Sequence, residues 1–199
     1  IARDFKNIET IDLGGGIKIP YYDDDTSTNL NDYVEEVSKE LNKFETEFNK
    51  KLKLIFEPGK FLVSDSGFLI TQVNYIKSTS TKEFIQLNSG FNHLLRPNLY
   101  GSHHEVINLN NPEGRKKEYD VVGYICEKDT FAEKRKIPNT SKGDLICFRN
   151  AGAYCFNMAS NYNSRPRPAE ICFYKEKFHK IRKAEDLNDL LENQIDIFS

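Results

Sequence analysis

Three consecutive glycines, Gly14, Gly15 and Gly16, close a short apolar stretch from Ile8 to Leu13. Without a Cβ, such a run can approach a phosphate closely and turn several backbone N–H groups toward it. Taken alone, it reads first as a tight turn with no ligand. Its neighbour changes the balance. Glu57-Pro58-Gly59-Lys60 closes the next apolar stretch, Leu52 to Phe56, and in β/α barrels the loops after the last two strands form the usual phosphate site. Two glycine-bearing loops at adjacent strand ends point to a shared anion site more than to two unrelated turns.

Arg96 and Tyr100 lie four residues apart. A guanidinium fork and a phenol suit a carboxylate, although Arg96 alone reads as readily as a surface ion-pair residue. Cys126 is followed by Glu127. A thiol that titrates near neutrality can act as a general acid, yet a lone cysteine ending an apolar strand reads first as a structural thiol. Tyr162 lies in a run too polar for a core tyrosine. Cys147, Cys155 and Cys172 sit in apolar runs and read as buried thiols. The four cysteines show neither C-x-x-C pairing nor zinc-like spacing with the four histidines, so no metal site is expected.

The elements that must carry these residues fall into two kinds. Strand Ile8 to Leu13, the polar loop Asp23 to Asn29, a helix and strand Leu52 to Phe56 form a β/α unit of parallel-sheet type. The helix is read from Leu30, Tyr33, Val34, Val37, Leu41, Phe44 and Phe48 at helical spacing, with Asn29 or Thr28 as cap. From Phe61 onward, runs rich in β-branched and aromatic residues predict an all-β region. These runs are Phe61 to Lys77, Lys82 to Leu87, Glu118 to Cys126, Asp144 to Arg149 and Glu170 to Tyr174. A last helix is expected over Ala184 to Ile195, with Leu187, Leu190 and Leu191 on one face.

Six ordered blocks, LGGGIKIPY, EPGKFLVSDSG, GFNHLLRPNLYGSHHEV, VVGYICEKDTFAEKR, GDLICFRNAGAY and MASNYNSRPRPAEI, resemble the fold-type III pyridoxal-phosphate-dependent amino-acid decarboxylases over Asp12 to Ile171. Within that family they are most similar to the branch acting on diaminopimelate. The resemblance implies a mixed α/β and all-β chain: the last β/α units of a TIM-type barrel (1–60), a C-terminal β-sandwich or β-barrel domain (61–183) and a terminal helix packing on it (184–199). It implies pyridoxal 5'-phosphate as cofactor, with Gly14, Gly15, Gly16, Glu57, Gly59 and Lys60 around its phosphate and Glu57 also facing the pyridine nitrogen. Tyr162 would touch cofactor and substrate, and Lys60, Arg96 and Tyr100 would bind the carboxylate that is retained. Cys126 would protonate the carbon that loses carbon dioxide, in the partner subunit's site. Glu127 would hold the distal ammonium; relatives acting on ornithine place Asp there, so Glu127 favours diaminopimelate.

The implied activity is conversion of meso-diaminopimelate to L-lysine and carbon dioxide in lysine biosynthesis, by a cytoplasmic homodimer with shared active sites. The Schiff-base lysine is expected outside this chain, in the N-terminal barrel segment, because no lysine here sits in a matching motif. The chain alone is therefore expected to be inactive. Lys60 stands where the family usually has Arg, and Asn88 and His93 replace usual aspartates. Competing readings are a non-catalytic dimerisation or inhibitor module and a decarboxylase of a polyamine precursor or basic amino acid. A formal net charge of -2, from 28 basic and 30 acidic residues, offers no broad basic field for nucleic acid. No run approaches the roughly 20 apolar residues of a membrane span, and Arg3, Asp4 and Lys6 stand against a signal-peptide core.

Overall fold

The structure, a computed structural model, describes residue 5, residues 7–22 and residues 24–197. Arg3, Asp4 and Lys6 lie outside the described residues, as does Asp23 of the polar loop. The chain divides into two compact units, Ile1–Ser64 and Asp65–Ser199.

In the first unit, strand β1 (Thr10–Asp12) pairs in parallel with β2 (Lys53–Ile55), in the register Thr10 to Lys53 and Asp12 to Ile55. Helix α1 (Leu30–Phe48) makes the crossover that parallel pairing requires. Asn29 caps it, its side-chain oxygen accepting the Asn31 N–H at 3.0 Å. Asn49 ends it in the left-handed conformation at φ 52°. The buried Glu45 accepts the Leu52 N–H at 2.8 Å and pairs with Lys51 at 2.6 Å, so the helix end is tied to the segment entering β2. The strand, loop, helix and strand expected here are all present.

The strand expected from Phe61 starts later. Helix α2 (Gly59–Val63) and a 3₁₀ turn (Ser64–Ser66) come first, and β3 begins only at Leu69. Apolar content there suggests a strand, but Pro58, with its φ of -79°, stands at the N-cap and the chain turns directly into a helix.

The second unit is a six-stranded mixed sheet in the order β5-β8-β3-β4-β6-β7. Its strands are β3 (Leu69–Ser78), β4 (Glu83–Leu87), β5 (Val106–Asn108), β6 (Lys116–Val122), β7 (Thr130–Pro138) and β8 (Leu145–Phe148). Long β3 pairs antiparallel with β8 through its first half and with β4 through its second, and the register shifts between Val73 and Tyr75. This bends the sheet, and the end strands β5 and β7 come into contact, so it nearly closes. The alternating side chains of β3 leave Leu69, Thr71 and Val73 buried, and Ile85, Leu87, Val121, Ile137, Ile146 and Phe148 complete the apolar interior. Phe131 packs on Phe148 with ring centroids 4.9 Å apart.

A separate hairpin, β9 (Glu170–Tyr174) with β10 (Lys177–Arg182), comes next. The terminal helix α4 (Leu187–Leu191) is shorter than expected, and Leu187 and Leu191 are exposed. Cys147 and Cys155 are buried as expected, whereas Cys172 is only half-buried. No helix among the described residues is long and apolar enough to cross a membrane.

Candidate functional site

In the first unit the glycine run and the Glu57 loop meet. The Leu13 N–H donates to Ile55 O at 3.1 Å and the Glu57 N–H to Gly14 O at 2.7 Å, extending the β1–β2 pairing into both loops. Gly14 and Gly16 have φ of +66° and +81°, where L side chains are strained. Gly15 has an ordinary φ, but a Cβ there would stand 2.5 Å from Glu57 O. Each glycine thus answers a physical demand. The Gly14 N–H turns inward to Asp12 Oδ1 at 2.8 Å, and the Gly59 N–H donates to Glu57 O at 2.8 Å. Among the described residues the N–H groups of Gly15 and Gly16 donate to nothing and are open to an anion. Two open N–H groups on a glycine turn are the kind of donors that suit an anion such as a phosphate. Lys60 Nζ lies over the Tyr21 ring, 5.2 Å from its centroid.

In the second unit Arg96 and Tyr100 open and close a five-residue helix, α3 (Arg96–Tyr100), with Pro97 in its first turn. The i, i+4 spacing puts both on one face, and the Arg96 guanidinium lies 5.7 Å from the Tyr100 ring centroid. Tyr154, which sequence reasoning missed, flanks the same guanidinium at 5.6 Å. Its φ of +56° is rare for so bulky a residue, and conformational outliers of this kind gather at functional sites. No sequence signal marks a backbone outlier. Arg96 Nη2 also donates to Ser102 Oγ at 3.1 Å.

Cys126, Glu127 and Tyr162 form a second group. The Tyr162 hydroxyl donates to Glu127 Oε1, and Cys126 Sγ donates to Glu127 Oε2 at 3.3 Å. The Tyr162 bond holds the Glu127 carboxyl below its ordinary pKa, helped by a bond to its own backbone N–H and by the thiol. The same bond raises the Tyr162 phenol. Glu127 therefore stays charged into mildly acidic solution.

Cys126 does not end a strand, as its sequence suggests it should. Strand β6 stops at Val122, because the Asp129 side chain accepts the Ile125 N–H at 2.9 Å while its carbonyl accepts the Gly123 N–H at 2.9 Å. The turn that results exposes the thiol. Tyr162 is set by a neighbouring strained loop, in which Asn163 and Ser164 both have positive φ. That loop is anchored by Glu185, which accepts Asn161 Nδ2 and Arg167 Nε, each at 2.6 Å, and the Arg167 N–H at 2.7 Å. The Arg167 bonds are the main reason that the Glu185 carboxyl is pulled down to about 2. Among the described residues no hydrogen bond joins the Arg96 group directly to the Glu127 group.

His93 sits beneath these loops, with Ser89 Oγ 3.0 Å from Nδ1 and Pro166 O 3.0 Å from Nε2. Burial lowers its pKa, opposed by the Pro166 carbonyl.

Comparison with known proteins shows the family. The family described as "Pyridoxal-dependent decarboxylase, C-terminal sheet domain" matches residues 22–152. The chain is 38% identical over 189 residues to a diaminopimelate decarboxylase of Methanothermobacter thermautotrophicus, covering 94% of this chain and 44% of that protein. The crystal structure of diaminopimelate decarboxylase from M. jannaschii superposes with a TM-score of 0.84 at 32% identity, over 94% of this chain and 43% of that one. That from Helicobacter pylori, complexed with L-lysine, gives 0.79 at 37% identity, over 92% and 44%. The chain thus spans less than half the length of these relatives. Because that family match covers residues 22–152, well over half of the chain, the chain belongs to the pyridoxal-dependent decarboxylase family.

Proposed function

We propose that the chain works as the C-terminal part of a homodimeric decarboxylase that converts meso-diaminopimelate to L-lysine and carbon dioxide in lysine biosynthesis. The observation that carries this reading is the Cys126, Glu127 and Tyr162 group, a proton-bearing thiol beside a carboxylate kept charged by a phenol. Relatives twice as long supply the analogy for the remainder of the polypeptide, which would bring the barrel's other strands and the Schiff-base lysine.

Bound pyridoxal phosphate supplies the electron sink that lets the α-carboxylate leave as carbon dioxide. The open N–H groups of Gly15 and Gly16 would hold its phosphate, the Glu57 loop would keep the glycine run in place through the Glu57 N–H to Gly14 O bond, and Glu57 would supply a carboxylate for the ring nitrogen. Glu127 holds the distal ammonium of the substrate by charge and hydrogen bond. Arg96 and Tyr100, with Lys60, hold the distal carboxylate; Tyr154 keeps the Arg96 guanidinium against its ring. Lys60 gives a point charge without the bidentate fork of an arginine, so Arg96 carries the directional part of the grip. Tyr162 touches cofactor and substrate while fixing Glu127. Once carbon dioxide has left, Cys126 Sγ delivers its proton to the carbon that bore it, so that the amino acid is released as L-lysine.

Cys126 and Glu127 serve the site of the second subunit. The family resemblance supports this, and the intact Arg96–Tyr100 and Cys126–Glu127–Tyr162 groups speak against a degenerate inhibitor. Mixing subunits tests it. A Cys126→Ala subunit and a subunit lacking the Schiff-base lysine are each expected to be at least about 100-fold slowed, as for loss of a general acid. Together they are expected to regain up to about a quarter of wild-type activity, the share set by random pairing of two subunit types. Wild-type turnover by Cys126→Ala alone would refute the acid role.

A further inference from the structure

Asp129 has no role in the proposed chemistry, yet its carboxylate is buried and held by two backbone N–H groups. It is 5% exposed. Its Oδ1 accepts the Phe91 N–H at 2.7 Å and its Oδ2 the Ile125 N–H at 2.9 Å, while its own carbonyl accepts the Gly123 N–H at 2.9 Å. Two glycines make room for it. A Cβ on Gly123 would stand 2.5 Å from Asp129 Cγ, and one on Gly90 would stand 2.8 Å from Oδ2. Burial pushes the carboxyl up in pKa, and the bonds from Ile125 and Phe91 oppose this.

The two N–H groups that it holds lead to the site by two routes. Ile125 is bonded covalently to Cys126. Phe91 packs its ring on Tyr162, with centroids 5.5 Å apart, and Tyr162 donates to Glu127. The chain of contacts therefore closes on itself: Asp129, Phe91, Tyr162, Glu127, Cys126, Ile125 and back to Asp129. A second tie, from the Tyr124 N–H to Ser89 O at 3.2 Å, binds the same two loops.

We infer that Asp129 is a positioning residue that clasps the 89–93 and 123–127 loops and so fixes the Cys126 thiol and the Glu127 carboxylate for proton delivery and substrate binding. The inference rests on the proposed decarboxylase function. Asp129 touches neither substrate nor cofactor. A carboxylate suits the task because it can accept two backbone N–H groups at once, whereas an amide offers one acceptor and turns a donor toward the other N–H.

The test uses the complete decarboxylase polypeptide that carries this chain, in four forms: wild type, Asp129→Asn, Cys126→Ala and the double variant. Gly123→Ala is a fifth, in which the added Cβ, 2.5 Å from Asp129 Cγ, displaces the same carboxylate. Asp129→Asn and Gly123→Ala are expected to lower kcat by roughly 100-fold, the effect of a displacement of about 1 Å at a reacting group. KM for diaminopimelate rises in both through Glu127, while cooperative melting and pyridoxal phosphate affinity are kept. The decisive readout is coupling: the double variant should match the kcat of Cys126→Ala within about a factor of two, since Asp129 acts through Cys126. Multiplying losses would overturn the inference, because Asp129 would then act independently of the thiol. Wild-type kcat in Asp129→Asn would do the same, as would loss of folding in both variants, which would make Asp129 a support of the domain and not of the site. No decarboxylation by the wild-type protein would instead refute the proposed function itself, a distinct outcome.

Discussion

Replacing Gly15 by alanine separates steric from conformational demands in the phosphate cradle. The backbone at Gly15 would tolerate any L residue, so the only obstacle is the added Cβ, 2.5 Å from the Glu57 carbonyl oxygen. Ordinary contact begins at 3.4 Å, and the obstructing atom is backbone, so the two loops must part by roughly 1 Å. An N–H to phosphate bond of about 2.9 Å does not survive that opening. Loss of one charge-assisted bond costs about 1.5–3 kcal/mol, a rise in Kd of roughly 10- to 150-fold. The assay is a fluorescence titration of the apo-protein with pyridoxal phosphate. Gly14→Ala is the control. It has nothing within 4 Å of its Cβ and already spends its N–H on Asp12, so its φ of +66° should cost about 1 kcal/mol of stability and little affinity. An unchanged Kd in Gly15→Ala, or an equal loss in Gly14→Ala, would refute the assignment of the cradle.

Other predictions concern the second unit. Tyr162→Phe removes the largest cause holding the Glu127 carboxyl down, so Glu127 should protonate at higher pH. The acidic limb of the kcat/KM profile is expected to move upward in pH, and an unmoved limb would exclude Glu127 as the group seen there. Glu185→Ala frees the loop bearing Tyr162 and should lower stability by about 1–3 kcal/mol near neutral pH in denaturant titrations. The Glu185 carboxyl is at about 2 in the folded chain against 4.5 ordinarily, so its contribution is complete above about 4.5 and fades as pH falls toward 2. The difference between variant and wild type should shrink over that window.

The sequence made some of this legible and hid the rest for physical reasons. The helix Leu30–Phe48 and its Asn29 cap were readable because apolar spacing and a capping side chain are local signals. The glycine run and the Glu57 loop were readable as a pair because both follow apolar strands, and the structure joins them through Glu57 N–H and Gly14 O. Strand β7 escaped notice because Glu133, Lys134, Arg135 and Lys136 give it a charged face, as suits the strand at the end of the sheet order. The end of β6 at Val122 could not be read either. It is set by Asp129, a side chain that takes the place of a ladder partner for Ile125, and nothing in the apolar run to Cys126 announces that. Tyr154 was missed because its distinction lies in a backbone angle and in a guanidinium brought from Arg96, far away in sequence.

The most direct test is substrate preference of the decarboxylase polypeptide that carries this chain, measured as carbon dioxide and L-lysine released from meso-diaminopimelate against carbon dioxide from L-lysine and L-ornithine. Equimolar lysine and carbon dioxide are expected, with a preference of roughly 10,000-fold, since buried or charged groups built for a second amino-acid head are left unpaired by substrates that lack it. Equal or faster decarboxylation of L-lysine or L-ornithine would contradict the proposed function.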